Sequence, residues 1–197
     1  MIPLLSAYSA LTVKGSGSSS SSGSTTTSYN FSESYSTIYV SSTTYKISIQ
    51  TTEGNTNLTE TVWVLKSGTA VAIDTEGQNF TGSEAQEFII GAFAGFELQL
   101  QADAQVSYYT NTGFFHSTGT STVSIGPTSV KVTSYSANTL PETVSECGDV
   151  TTLTAFSLSV GTPQGASLPL VTSENISGSD SSGNFSFSLN VSSITLA

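Results

Sequence analysis

His116 is the one histidine of the chain and stands beside Phe114 and Phe115, so a His-based metal site has no partners and a strand-end residue is the reading that fits. Cys147 is equally alone, which leaves no intrachain disulfide and makes the fold rest on packing. Serines are too plentiful for a nucleophile to stand out, and no G-x-S-x-G elbow occurs. Glu97 and Asp103 project from one face of the same apolar-polar alternation. Six residues of strand separate them by about 20 Å, far beyond the roughly 10 Å limit for a glycosidase carboxylate pair. The stretches "DTEGQN" and "SGSDSSGN" carry loop oxygens but fit no EF-hand and read as polar turns. The expectation is a protein that is not an enzyme, with no catalytic residue, no metal site and no cofactor.

Composition narrows the remaining classes. Only 9% of the 197 residues are charged, against about 25% in an average protein, while Ser and Thr make up roughly a third. The cations are Lys14, Lys46, Lys66 and Lys131, and the net charge is −10. A phosphate-binding footprint is missing, so no nucleic-acid partner is expected, and anionic membrane surfaces are disfavoured. No stretch approaches the roughly 20 apolar residues of a membrane span.

Six Asn-X-Ser/Thr sequons stand at Asn30, Asn57, Asn79, Asn175, Asn184 and Asn190, out of nine asparagines. Chance predicts about three, so the excess points to secretion and to N-linked glycans. The start "MIPLLSAYSALTVKG" has no basic segment and a short apolar part, which reads as a mature chain with its signal removed. The rival reading makes residues 1–10 the tail of that signal.

The elements that must position all of this are strands. In "YNFSESYSTIYV" Tyr29, Phe31, Tyr35 and Tyr39 share a parity, and "YKISI" repeats it with Tyr45, Ile47 and Ile49. Residues 61–65 and 70–73 read as a hairpin closed at Ser67-Gly68. Phe96, Leu98, Leu100, Ala102, Ala104, Val106 and Tyr108 alternate strictly with polar residues, which predicts a long strand. Ser83 and Gln86 at capping-box spacing predict a short helix over about 84–91, with a strand as the alternative because Phe88, Ile90, Ala92 and Ala94 also alternate. Further strands are expected around 121–126, 129–136, 150–160 and 168–173. The closing strand puts Phe185, Phe187, Leu189 and Val191 on one face and Asn184 and Asn190 on the other. Asn57 and Asn79 fall in polar stretches expected to be loops. Turns at this spacing imply an antiparallel, immunoglobulin-like β-sandwich.

Three segments follow: an N-terminal strand over 1–14, a Gly/Ser/Thr linker over 15–28 and a sandwich head over 29–197. Residues 2–13 are apolar on both parities, with Pro3, Leu5, Ala7, Leu11 and Val13 on one of them. Fourteen residues of tether follow, where a two-to-five-residue turn would join neighbouring strands. An apolar strand on a leash suits donor-strand exchange, in which one subunit completes the sandwich of the next and the head-to-tail contact never closes.

Residues 2–13, the tract Gly15 to Ser28, the six sequons and the alternating strands resemble the archaeal thread pilins. The likeness covers the chain in style and not through a motif. It implies a pilin-like sandwich, an N-terminal donor strand, identical subunits as partners, sugar on the six asparagines, and an extracellular filament on an archaeal surface serving adhesion or biofilm formation. The residues themselves leave open a sugar-binding or adhesive module, with Tyr29, Tyr35, Tyr39 and Trp63 as stacking candidates. A capsid, S-layer or spike component is the further alternative.

Overall fold

The computed structural model describes residues 2–21, 26–66, 70–73, 79–93, 96, 99, 106–108, 110–146 and 149–197. Their backbone is almost wholly β: β1 (Tyr8–Ser20), β2 (Thr27–Val40), β3 (Thr44–Glu53), β4 (Thr56–Leu65), β5 (Ala70–Ile73), β6 (Asn79–Phe80), β7 (Phe115–Ile125), β8 (Thr128–Ala137), β9 (Glu142–Glu146), β10 (Asp149–Gly161), β11 (Leu170–Asp180) and β12 (Gly183–Leu196). Helices α1 (Ile2–Ala7) and α2 (Gly82–Ala92) accompany them. The strands are hydrogen-bonded in the order β6-β5-β4-β3-β2-β1-β12-β11-β10-β8-β7, with β9 on β10.

The fold is all-β and antiparallel, as expected, and sandwich-like, with the strands belonging to one sheet bent on itself. Its halves share a core: Ile47, Ile49, Val62 and Val64 from β3 and β4 join one cluster with Val130 and Val132 from β8 and Leu189 from β12. A sheet this wide must curl to bury its apolar face. A second cluster gathers Phe115, Leu153, Phe156, Leu158 and Val171.

Local chemistry explains the connections. β3 and β4 are closed by Gly54-Asn55, with Gly54 at φ 56°, the left-handed conformation that favours glycine in a two-residue hairpin turn. Asn57 therefore lies in β4, and Asn79 in β6, where the sequence reading placed both in loops. β4 and β5 pair through Val62 and Ala72, as the hairpin reading required, although residues 67–69 at its turn lie outside the described residues. α2 covers the helix expected over 84–91, burying Ala85.

Three expectations fail. The strand read from Phe96 to Tyr108 is helical wherever it is described: Phe96 has 3-10 backbone, and Gln99 and residues 106–108 are in helical backbone. Residues 97–98 and 100–105 lie outside the described residues. Phe96 and Gln99, three apart, are both buried, a spacing that helical backbone brings to one face. Residues 2–7 form α1 and not the start of a strand. The tract 15–28 belongs to strands at both ends, Gly15–Ser20 in β1 and Thr27–Ser28 in β2.

Gln99 replaces a missing strand. Its Nε2 donates to the Val171 carbonyl at 2.8 Å and its Oε1 accepts from the Val171 N–H at 3.0 Å, both buried. Registered pairing of β11 with β12 begins only at Ser173, so the side-chain amide satisfies backbone that the ladder leaves uncovered. Gln99→Ala is expected to lower stability by about 2–4 kcal/mol, because two buried backbone groups lose their partners. A chemical denaturation curve will show it as a lower midpoint at unchanged slope.

Candidate functional site

Of the five expected donor residues, Leu11 and Val13 lie on β1 in the middle of the sheet, and Pro3, Leu5 and Ala7 lie on α1. β1 lies between β2, paired from Ala10↔Ser36 to Ser19↔Thr27, and β12, paired from Tyr8↔Leu196 to Ser20↔Asn184. Leu5, Ala7, Leu11 and Val13 are buried, whereas Pro3 is exposed on α1. Leu4 and Tyr8, on the other parity, are fully buried as well, as a segment apolar on both parities requires. Helical backbone through residue 7 brings positions three as well as four apart onto one side, so Leu4, Leu5 and Tyr8, of both strand parities, are buried together.

Hydrogen bonds fasten this segment. The Tyr8 hydroxyl donates to the Leu168 carbonyl, and the Tyr35 hydroxyl donates to the Tyr8 carbonyl at 3.1 Å. Tyr35 packs against Phe93 and Phe96 with ring centroids 5.6 and 5.2 Å away. Burial pushes both phenols well above their usual range, with Tyr8 adding to the shift of Tyr35, so both remain donors.

Beyond Val13 the strand continues as alternating Gly and Ser. Gly15 faces inward between Phe31 and Leu189, and Gly17 between Tyr29 and Phe187. Phe31 stacks on Phe187 across β1, with centroids 6.0 Å apart and planes 15° from parallel. On the outer face the Ser16 and Ser188 hydroxyls are 2.9 Å apart and those of Ser18 and Ser186 are 2.8 Å apart. The signal for a strand was present in "GSGS" itself, since it has period two.

The outer face also gathers the sequons. One row across the sheet runs Asn30, Ser16, Ser188, Asn175, and the next runs Asn57, Thr52, Ser32, Lys14, Asn190. Residues opposed in an antiparallel ladder share a face, so these asparagines and Asn184 point away from the core, all exposed. Asn79 is in β6.

The remaining candidates separate. Of the four aromatic stacking residues, Tyr35 is core and Tyr29 lies on the inner face over Gly17. A register shift between Thr37 and Tyr39 turns Tyr39 outward, contrary to the parity expected of it. It stands beside Trp63 with centroids 6.3 Å apart and planes at 60°, and Lys46 Nζ lies 5.0 Å above the Trp63 ring. The buried carboxylates Glu33 and Glu174 stand on β2 and β11, three strand spacings or about 14 Å apart, too far to act as an acid/base pair. His116 is exposed on β7, and Cys147 lies outside the described residues. Among the described residues no group of three His, Cys, Asp or Glu is placed to hold a metal, and no helix is long and apolar enough to cross a membrane. Neither the known protein-family models nor the curated proteins contain a match to this chain.

Proposed function

We propose that this chain is the structural subunit of an extracellular, N-glycosylated filament, assembled head to tail by donor-strand complementation and serving adhesion or biofilm formation. One observation carries the reading: the first strand of the chain fills a central slot between β2 and β12 and supplies Leu11 and Val13 to the core. Its withdrawal leaves two facing strand edges and an apolar groove, and the identical segment of a second copy fits that groove by construction.

On this reading the donor segment is longer than the sequence suggested, since β1 runs from Tyr8 to Ser20. Sequence alone gave residues 2–13 a long leash; here the segment runs to Ser20, and residues 21–26 are the whole connection to β2. Extended, six residues span about 20 Å, enough to hand the strand to an adjoining subunit. The outward asparagines would carry sugar on the face opposite the core, clear of the groove.

The adhesive or sugar-binding alternative has exposed Tyr39 beside half-buried Trp63, with exposed Tyr29 on the other face of the sheet. It is the weaker reading, because Lys46 already covers one face of Trp63 and the two rings are tilted instead of coplanar. Negative-stain microscopy of the native material tests the proposal. Long unbranched threads are expected; discrete particles that stay discrete at high protein concentration would overturn it.

A further inference from the structure

We propose that Gly15 and Gly17 are register keys: aromatic rings on the strands bordering the slot admit the N-terminal strand in one alignment only. The inference rests on the strand-exchange reading for its partner, a second copy of this chain, while the key itself acts whichever chain supplies the strand.

A β-carbon on Gly15 would lie 2.2 Å from Cε1 of Phe31 and 3.0 Å from the Ser188 carbonyl oxygen. On Gly17 it would lie 2.2 Å from Cζ of Tyr29. Phe31 is braced by its stack on Phe187 from the other border of the slot, whereas Tyr29 is 43% exposed and is the softer of the two keys. The rings of β2 thus fill the room that side chains at 15 and 17 would take, an aromatic cover over strand glycine.

Each slip of the strand puts a β-carbon under a ring. Moving two residues in one direction brings Val13 beneath Phe31; moving two in the other brings Ser19 beneath Tyr29. A slip of one residue places Lys14, Ser16 or Ser18 there and also turns Leu11 and Val13 to the solvent face. Only the observed alignment sets both glycines under both rings. The hydroxyl pairs Ser16–Ser188 and Ser18–Ser186 repeat that alignment on the outer face, where no ring enforces it. A polar Gly/Ser stretch would otherwise specify its register weakly, and a strand that arrives from another molecule has no hairpin turn to set it.

The test uses the full-length chain with Cys147→Ser. Ser16→Cys with Ser188→Cys is expected to oxidise to a disulfide, and the offset pair Ser16→Cys with Ser186→Cys is expected to stay reduced. Adding Gly15→Val and Gly17→Val should cut the 16–188 cross-link by about tenfold. Adding Phe31→Ala and Tyr29→Ala to those should restore it, which separates a blocked register from a chain that does not fold. Full cross-linking in the valine variant, or no recovery on removal of the rings, overturns the proposal. A non-reducing gel of the parent pair reads the partner independently: a ladder of covalent multimers means exchange, and a cross-linked single chain defeats exchange while leaving the register key standing.

Discussion

A chain that begins at Ser21 is expected to yield no stable soluble monomer. The missing segment supplies Leu4, Leu5, Tyr8, Leu11 and Val13, none more than 1% exposed, together with the nearly buried Ala7. At about 1.5–3 kcal/mol for each large side chain, their removal costs on the order of 10 kcal/mol, comparable to the whole stability of a typical domain. It also bares the edges of β2 and β12 along the full length of the slot, and long unpaired edges template aggregation. A synthetic peptide of residues 2–20 supplied during refolding is expected to recover soluble protein, because it restores the core and both ladders at once. Size-exclusion chromatography and circular dichroism give the answer. A truncated chain that elutes as a folded monomer would remove the physical basis for strand exchange.

The second large effect is a dependence on pH. Glu174 is 8% exposed on β11, paired to Leu158 and Leu189, and burial pushes its carboxyl up to about 7. The folded chain therefore holds this proton more tightly than the unfolded chain, whose carboxyl titrates near 4.5. Its favourable contribution is complete below about pH 4.5 and is lost as pH rises through about 7. The difference corresponds to about 3 kcal/mol between those limits. Glu174→Gln is expected to gain stability at pH 8, gain little at pH 4, and flatten the profile between them. Melting curves at the two pH values check it; equal shifts at both would show that Glu174 does not titrate in this range. With 9% charged residues the chain has little other ionic structure to lose in acid, so this buried carboxyl gives it a bias towards low pH.

The sequence made the class legible because alternation survives wherever one face is buried. β3, β8 and β12 could be read directly, as could α2 from its capping spacing. It misled where alternation and helical spacing coexist. Phe96, Gln99 and Val106 satisfy a strand pattern on paper, but the fold uses the three-residue step from Phe96 to Gln99 and spends the Gln99 amide on the backbone of Val171. Residues 2–7, read as strand, are helical for the same reason. "GSGSSS" was read as a tether because Gly and Ser lack side chains of their own to bury; the rings that cover the glycines come from Tyr29 and Phe31. Burial supplied by a partner strand leaves no trace in a local window. Tyr39 shows the finer limit, since one irregularity after Thr37 reversed its face.

The outer face of the sheet has a consequence for how such a chain changes over time. Asn-X-Ser/Thr has the period of a pleated strand: its first and third positions point to one side and its middle position to the other. Where that side is lined with hydroxyls and the other packs a core, as around Asn184-Phe185-Ser186, any outward serine exchanged for asparagine creates an acceptor tripeptide without disturbing a buried residue. The sequon count therefore measures the pleat as much as it measures secretion. Acceptor tripeptides can be added, moved or erased one substitution at a time while the slot and its aromatic rings stay as they are, so the outer face and the slot are free to vary independently.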